Sequence, residues 1–180
     1  MIRKAQKEDV KKTMFLLALA MEHFIYKLSG KEDYNEAMEI LENFFLQENN
    51  RLSYENICVY EEDGEILGAI CFYDGARAEF LDVPLKMNLK ALGKQDTILK
   101  ECEDEFYLDS VAVDEKARGK GIAKKLILHA QEEAQKAQKK LSLIVETQNE
   151  VAKKTYDKLG FKCMNLKKFH GHLYEYRELI

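Results

Sequence analysis

The sequence predicts a single mixed α/β domain, and three observations carry that prediction. Apolar residues recur at spacings of three and four through residues 8–47, as on the buried faces of amphipathic helices. Short runs rich in Val, Ile, Tyr and Phe, bounded by Gly, Asp and Asn, recur from residue 56 onward, as strands do. From Phe106 the chain alternates strand, helix, strand and helix, the order of an α/β architecture. At 180 residues, 46% of them hydrophobic and 33% charged, the chain fits one domain over 1–180 and can bury a sizeable core.

The elements follow in order. Ile2–Ala5 can form a short first strand. Val10, Met14, Leu17, Met21 and Phe24 fall on one face of a helix over residues 8–28, closed by Ser29-Gly30. Ala37, Ile40, Leu41, Phe44 and Phe45 do the same for a helix over 33–47. Residues 56–61 and 65–73 read as a hairpin about Glu62-Asp63-Gly64. Residues 74–104 are the least regular part; they hold the only proline, Pro84, with room for a short helix near 85–92, and a connection of this length is often a binding loop or lid, or else mobile. A strand over 106–113 leads through a glycine turn into a helix over 119–138. Leu141–Glu146 is a nearly continuous apolar strand of the buried type. Asn149 caps a helix to about Lys158, Gly160 ends it, and strands over 161–169 and 173–179 finish the chain.

The glycine turn is the most informative stretch. In Val111-Ala112-Val113-Asp-Glu-Lys-Ala-Arg118-Gly119-Lys120-Gly121-Ile122-Ala123-Lys124 a strand ends, two glycines flank a lysine, and a helix begins. Such a junction points free backbone N–H groups and a positive dipole end at an anion. Arg118, Lys120, Lys124 and Lys125 surround it, although cations in a first helical turn oppose the macrodipole unless an anion offsets them. Neither G-x-x-x-x-G-K-[ST] nor G-x-G-x-x-G is present, so the two commonest phosphate loops are excluded. A plain β-to-α connection with basic residues at the helix start fits the same run.

Charge is unevenly spread about a net of −4. Residues 31–65 hold eleven acids against two bases, and 101–115 seven acids and no base, while 116–168 hold fourteen bases against five acids. These are either solvated faces or an anionic ligand on the carboxyl-terminal half and a cationic one facing the acidic segments. A nucleic-acid backbone would be repelled by the protein as a whole. Cys58, Cys71, Cys102 and Cys163 are widely spaced, which reads as reduced thiols rather than a disulfide framework or zinc site. With no signal-peptide pattern and no apolar stretch of membrane-spanning length, a cytoplasmic protein with no membrane partner is expected.

A second constellation lies about thirty residues downstream: Asn149, Ala152, Tyr156, Gly160 and Phe161. Ala152 and Tyr156 share a helix face. By itself Tyr156 reads first as a core or surface aromatic, although a phenol can also donate a proton to a leaving thiolate.

V-A-V, then R-G-K-G-I-A opening a helix, then N-x-x-A-x-x-x-Y-x-x-x-G-F resembles the acetyl-CoA core of the GNAT N-acetyltransferase superfamily, over roughly residues 106–165. Arg118, Gly121 and Ala123 occupy the family's [Q/R]-x-x-G-x-[G/A] positions. The resemblance implies a mixed, mostly antiparallel sheet splayed at its central strands and flanked by about four helices. It implies acetyl-CoA as co-substrate, with the pyrophosphate on the N–H groups of Gly119, Lys120, Gly121, Ile122, Ala123 and Lys124. The pantetheine arm would pair with main chain at Val111, Ala112 and Val113. Asn149 would hold the arm or a water, and Tyr156 would protonate the thiolate. The acceptor would be a small amine, a polyamine or a protein amino group that attacks directly, bound on the side of residues 1–50 and 74–104. A homodimer is compatible with the family.

For the proton acceptor, Asp109 lies two residues before Val111 and is expected on the same sheet face. A structural or ammonium-binding carboxylate there is the other reading. Glu105 and Glu79 are lesser candidates. His23 reads as a helix residue and His170-Gly-His172 as a turn; no zinc-type ligand spacing exists, so no metal is expected. The competing functional reading is a catalytically inactive acyl-CoA-binding regulatory module that keeps the fold without the chemistry.

Overall fold

The computed structural model describes residues 1–180. Seven strands form one sheet: β1 (Ile2–Lys4), β2 (Ile57–Glu62), β3 (Glu65–Asp74), β4 (Phe106–Val113), β5 (Leu141–Glu146), β6 (Phe161–Phe169) and β7 (His172–Leu179), ordered β1-β2-β3-β4-β5-β7-β6. Every neighbour pair is antiparallel except β4–β5. One face carries α1 (Val10–Met21), α2 (Phe24–Ser29), α3 (Tyr34–Leu46) and α4 (Ala78–Ala91), over a core that includes Met14, Leu17, Phe45, Leu85 and Tyr107. The other face carries α5 (Ile122–Lys136), whose Ile122, Leu126, Ile127 and Ala130 are buried against the strands, and α6 (Glu150–Leu159). Gly68 lets α5 lie close on β3, since a Cβ there would meet Ile122 Cγ2 at 2.9 Å. No helix is long and apolar enough to cross a membrane.

Two elements differ from their sequence patterns. The single helix expected over 8–28 is two helices, because the chain breaks at Glu22 (φ +49°, ψ −120°), a conformation that disfavours side chains. Buried residues lie at three- and four-residue spacings on both sides of the break, so periodicity runs across it. The irregular stretch at 74–104 contains α4, longer than the helix expected at 85–92. Asp74 starts it by accepting the Ala76 N–H at 3.0 Å. Pro84 sits inside α4 and cannot donate to the Phe80 carbonyl. The stripe Leu81, Leu85 and Leu89, each no more than 1% exposed, outweighs that lost bond.

The central strands part as the resemblance implied. β4 and β5 pair only at Phe106–Leu141 and Tyr107–Ser142, and beyond these residues their facing edges separate. On its other side β4 carries a bulge: Cys71 lies opposite Ser110 and Phe72 opposite Leu108, leaving Asp109 as the extra residue.

Candidate active site

The strands part around a cavity of about 250 Å³ whose walls include the α1–α2 break, the second half of β4, the end of β5 and the first turns of α6. Val111 and Tyr156 both line it. The Asp114 N–H donates to the Leu67 carbonyl at 2.9 Å, which makes the flanking pair Gly68–Val113 a non-hydrogen-bonded one. By alternation Ile70–Val111 is also non-bonded. The N–H and C=O groups of Val111 and Val113 therefore face away from β3, toward the gap on the β5 side.

At the end of β4, Asp114 accepts the Lys116 N–H at 3.1 Å and opens a tight turn over Glu115–Ala117. Gly119 (φ +79°) and Gly121 (φ +73°) follow, both left-handed, with nothing within 4 Å of where a Cβ would stand. The first intrahelical bond of α5 runs from Lys125 N–H to the Gly121 carbonyl at 3.1 Å. The N–H groups of residues 119 through 124 donate to no acceptor in the chain, a row of six donors at the start of a 15-residue helix. Arg118, Lys120 and Lys124 are exposed and form no ion pair, whereas Lys116 pairs with Glu65. Ile122 itself is buried and anchors the turn to the core. Main-chain donors, unpaired cations and open space above two glycines suit a pyrophosphate.

Asn149 caps α6 through its Oδ1, which accepts the Ala152 N–H at 3.1 Å, leaving its side-chain NH₂ free of partners in the chain. Tyr156 stands edge-on to Phe161 at 5.6 Å, and its hydroxyl bonds to nothing in the chain. Burial pushes its phenol up to about 12, against a smaller opposing pull from Arg177. It is a neutral hydroxyl across the physiological range.

Asp109 lies elsewhere than expected. The bulge inserts one residue into the alternation, so Asp109 lies on the α1–α4 face with Tyr73 and Tyr107, while Val111 packs toward the α5 side. Its Oδ2 accepts from Arg51 Nε at 3.0 Å and from the Tyr73 hydroxyl at 3.2 Å. Arg51, in the connection after α3, is buried and also reaches Glu101 (2.8 Å) and Asp82 (3.5 Å), with the Tyr107 hydroxyl on Glu101 at 2.8 Å. Three carboxylates thus share one guanidinium, and of these Glu101 and Asp109 line the cavity with Arg51 while Asp82 does not. Burial raises the Asp82 and Glu101 carboxyls despite Arg51. Glu105 is tied to Tyr176 at 2.7 Å, and Glu79 projects from α4 with its side chain 83% exposed; neither lines the cavity.

Sequence reasoning missed Arg51, Glu101, His23 and Glu146, all of which line the cavity. A lone arginine in the acidic 31–65 run was the available signal for Arg51. His23 is not an interior helix residue: it occupies the break after α1. Ser110 Oγ, also on the wall, is buried without a partner. No group of three or more His, Cys, Asp or Glu is arranged to hold a metal ion.

The profile of the acetyltransferase (GNAT) family matches residues 18–161. Among solved structures, an acetyltransferase with 29% identity covers 99% of this chain and 97% of its own, with a TM-score of 0.75. An N-acetyltransferase from Staphylococcus aureus Mu50 has 25% identity, covers 99% of both chains and reaches a TM-score of 0.84. The paia N-acetyltransferase from Thermoplasma acidophilum, solved in complex with coenzyme A, shares the fold at 18% identity and a TM-score of 0.59, over 100% of this chain and 98% of its own. No curated protein matches the chain.

Proposed function

Because the chain belongs to the acetyltransferase (GNAT) family, we propose that it transfers the acetyl group of acetyl-CoA to a primary amine by direct attack in a ternary complex. The acceptor is a small amine, a polyamine or a protein amino group. The observation that carries this reading is the continuity of two features: six unbonded N–H donors at residues 119–124, and a strand edge at Val111–Val113 that leads into a cavity containing a free phenol.

Gly119 through Lys124 hold the pyrophosphate by main-chain hydrogen bonds, and Arg118, Lys120 and Lys124 add charge. Val111 and Val113 offer the pantetheine amides the pairing an added strand would give. The Val111 N–H faces the gap and stabilises the oxygen of the reacting carbonyl as negative charge develops. The Asn149 NH₂ steadies the arm or an ordered water. Tyr156 gives its proton to the departing sulfur. The burial that raises the phenol also penalises a bare thiolate leaving beside it, so the proton moves to sulfur as the bond breaks. Asp109, bonded to Arg51, helps to shape the floor of the acceptor side. The acidic floor suits a cationic acceptor.

The test is thiol release from acetyl-CoA with a panel of small amines, polyamines and amino-terminal peptides, with the acetylated amine identified by mass. Turnover with at least one primary amine is expected. Acetyl-CoA binding without turnover on any acceptor would favour the inactive acyl-CoA-binding module, and no binding by calorimetry would remove the reading altogether.

A further inference from the structure

An amine is an ammonium ion at neutral pH and has no lone pair until it loses a proton, so transfer requires a proton acceptor. Of the cavity's four carboxylates, Glu101 and Asp109 are bonded to Arg51, and Glu22 is exposed at the α1–α2 break. Glu146 differs from all three. It is the last residue of β5 and lies opposite Tyr174 of β7. It follows Ile144 on the α1–α2 face, two residues along, whereas Tyr156 packs on the α5 side. One oxygen, Oε1, bonds to His172 Nδ1 at 2.7 Å; the other makes no hydrogen bond within the chain. No lysine or arginine pairs with it.

His172 is itself held in place. Its ring stacks on His23 with centroids 4.4 Å apart and planes 16° apart, and His23 Nε2 lies 3.4 Å from the Tyr174 hydroxyl. His23 is brought there by the strained turn at Glu22, and Phe24 also stacks on it at 4.8 Å. Three of the chain's four histidines gather at this mouth, since His170 stands edge-on to Phe24 at 5.5 Å. Burial pushes the His23 imidazole down, which keeps it an uncharged platform. Glu22, Lys27, His170, Tyr174 and Glu101 are the other titratable groups facing the cluster.

We propose that Glu146 is the proton acceptor for the attacking amine and that His172, stacked on His23, is the positioning residue that aims its free oxygen into the cavity. This rests on the acetyl-transfer reading above. The ammonium gives one proton to Glu146 Oε2, and the freed nitrogen forms the C–N bond while the C–S bond breaks. The sulfur leaves with the proton of Tyr156. The nitrogen's second proton returns through water to the phenolate, and Glu146 releases the remaining proton to bulk solvent. One amide, one thiol and one proton result.

The experiment measures kcat/KM against pH, with an amine that the wild-type enzyme acetylates. Glu146→Gln should lower it about 100-fold near pH 7. The gap to wild type should narrow as pH rises, because the amine then arrives already deprotonated. Tyr156→Phe, whose role is protonating sulfur, should instead lose activity without that narrowing. His172→Phe keeps a ring on His23 but removes the hydrogen bond, and should cost about tenfold. His172→Asn retains a donor and should recover most of the loss. A Glu146→Gln enzyme within threefold of wild type, or one depressed equally at every pH, overturns the assignment while leaving acetyl transfer intact. A wild-type enzyme that acetylates no amine overturns both.

Discussion

On the α5–α6 side of the parted strands, the site is built from main chain. Its donors are consecutive N–H groups of residues 119–124, a strand edge at Val111–Val113 and one helix cap. On the α1–α2 side it is built from side chains drawn from distant parts of the sequence. Arg51, Glu101 and Asp109 meet on the floor, with Asp82 on Arg51 outside the lining, and His23, Glu146 and His172 gather at the mouth. In the proposed function the co-substrate meets main chain from one short stretch of sequence, and the acceptor meets side chains drawn from separate segments.

The contrast can be broken at its most heavily charged point. Arg51→Met leaves three buried carboxylates without their cation, and should lower the unfolding free energy by about 3–5 kcal/mol. Urea denaturation reads this, and a loss under about 1 kcal/mol would mean that the pairs behave as solvent-exposed ones. On the other side, Tyr156→Phe should lower kcat about 100-fold while leaving acetyl-CoA affinity unchanged. Unchanged turnover would remove the phenol from the chemistry.

Gly121→Ala tests the main-chain cradle. A side chain in the left-handed region costs about 1–2 kcal/mol, and the methyl group enters space assigned to the phosphates. Acetyl-CoA should bind about tenfold more weakly by calorimetry. Gly64, at φ +77° in the β2–β3 turn, gives the control: Gly64→Ala should cost stability with no change in affinity. The smallest effect is expected at Asp82, the most distant carboxylate from Arg51. Its carboxyl is raised by burial, so its contribution to stability is full below the ordinary carboxylate range and is lost as pH rises through the folded value. Asp82→Asn should therefore flatten that decline, giving a Tm that falls less than the wild type's between acidic and neutral pH.

How much of this could be read from the chain follows the same division. The strands 106–113 and 141–146, the glycine turn and the cap at Asn149 all fell where local patterns put them. Those patterns are short-range: a β-branched run, a pair of glycines, an Asn followed by a helical stripe. The break at Glu22 left no mark, because apolar spacing continues across it and no glycine or proline announces it. α4 was obscured by Pro84, whose cost is outweighed by burial that only the folded sheet provides. The side of β4 on which Asp109 lies was misjudged because a bulge defeats strict alternation, and bulges depend on the neighbouring strand. The Arg51 cluster joins residues 51, 82, 101 and 109, and no spacing rule links them.

The most direct test of the division is a titration of ¹⁵N-labelled protein with acetyl-CoA, following backbone amide resonances. The largest shifts are expected in residues 119–124 and at Val111 and Val113, with the amides of α4 and β1 unmoved. Shifts centred on the α1–α2 break or on α4, with residues 119–124 unchanged, would contradict it.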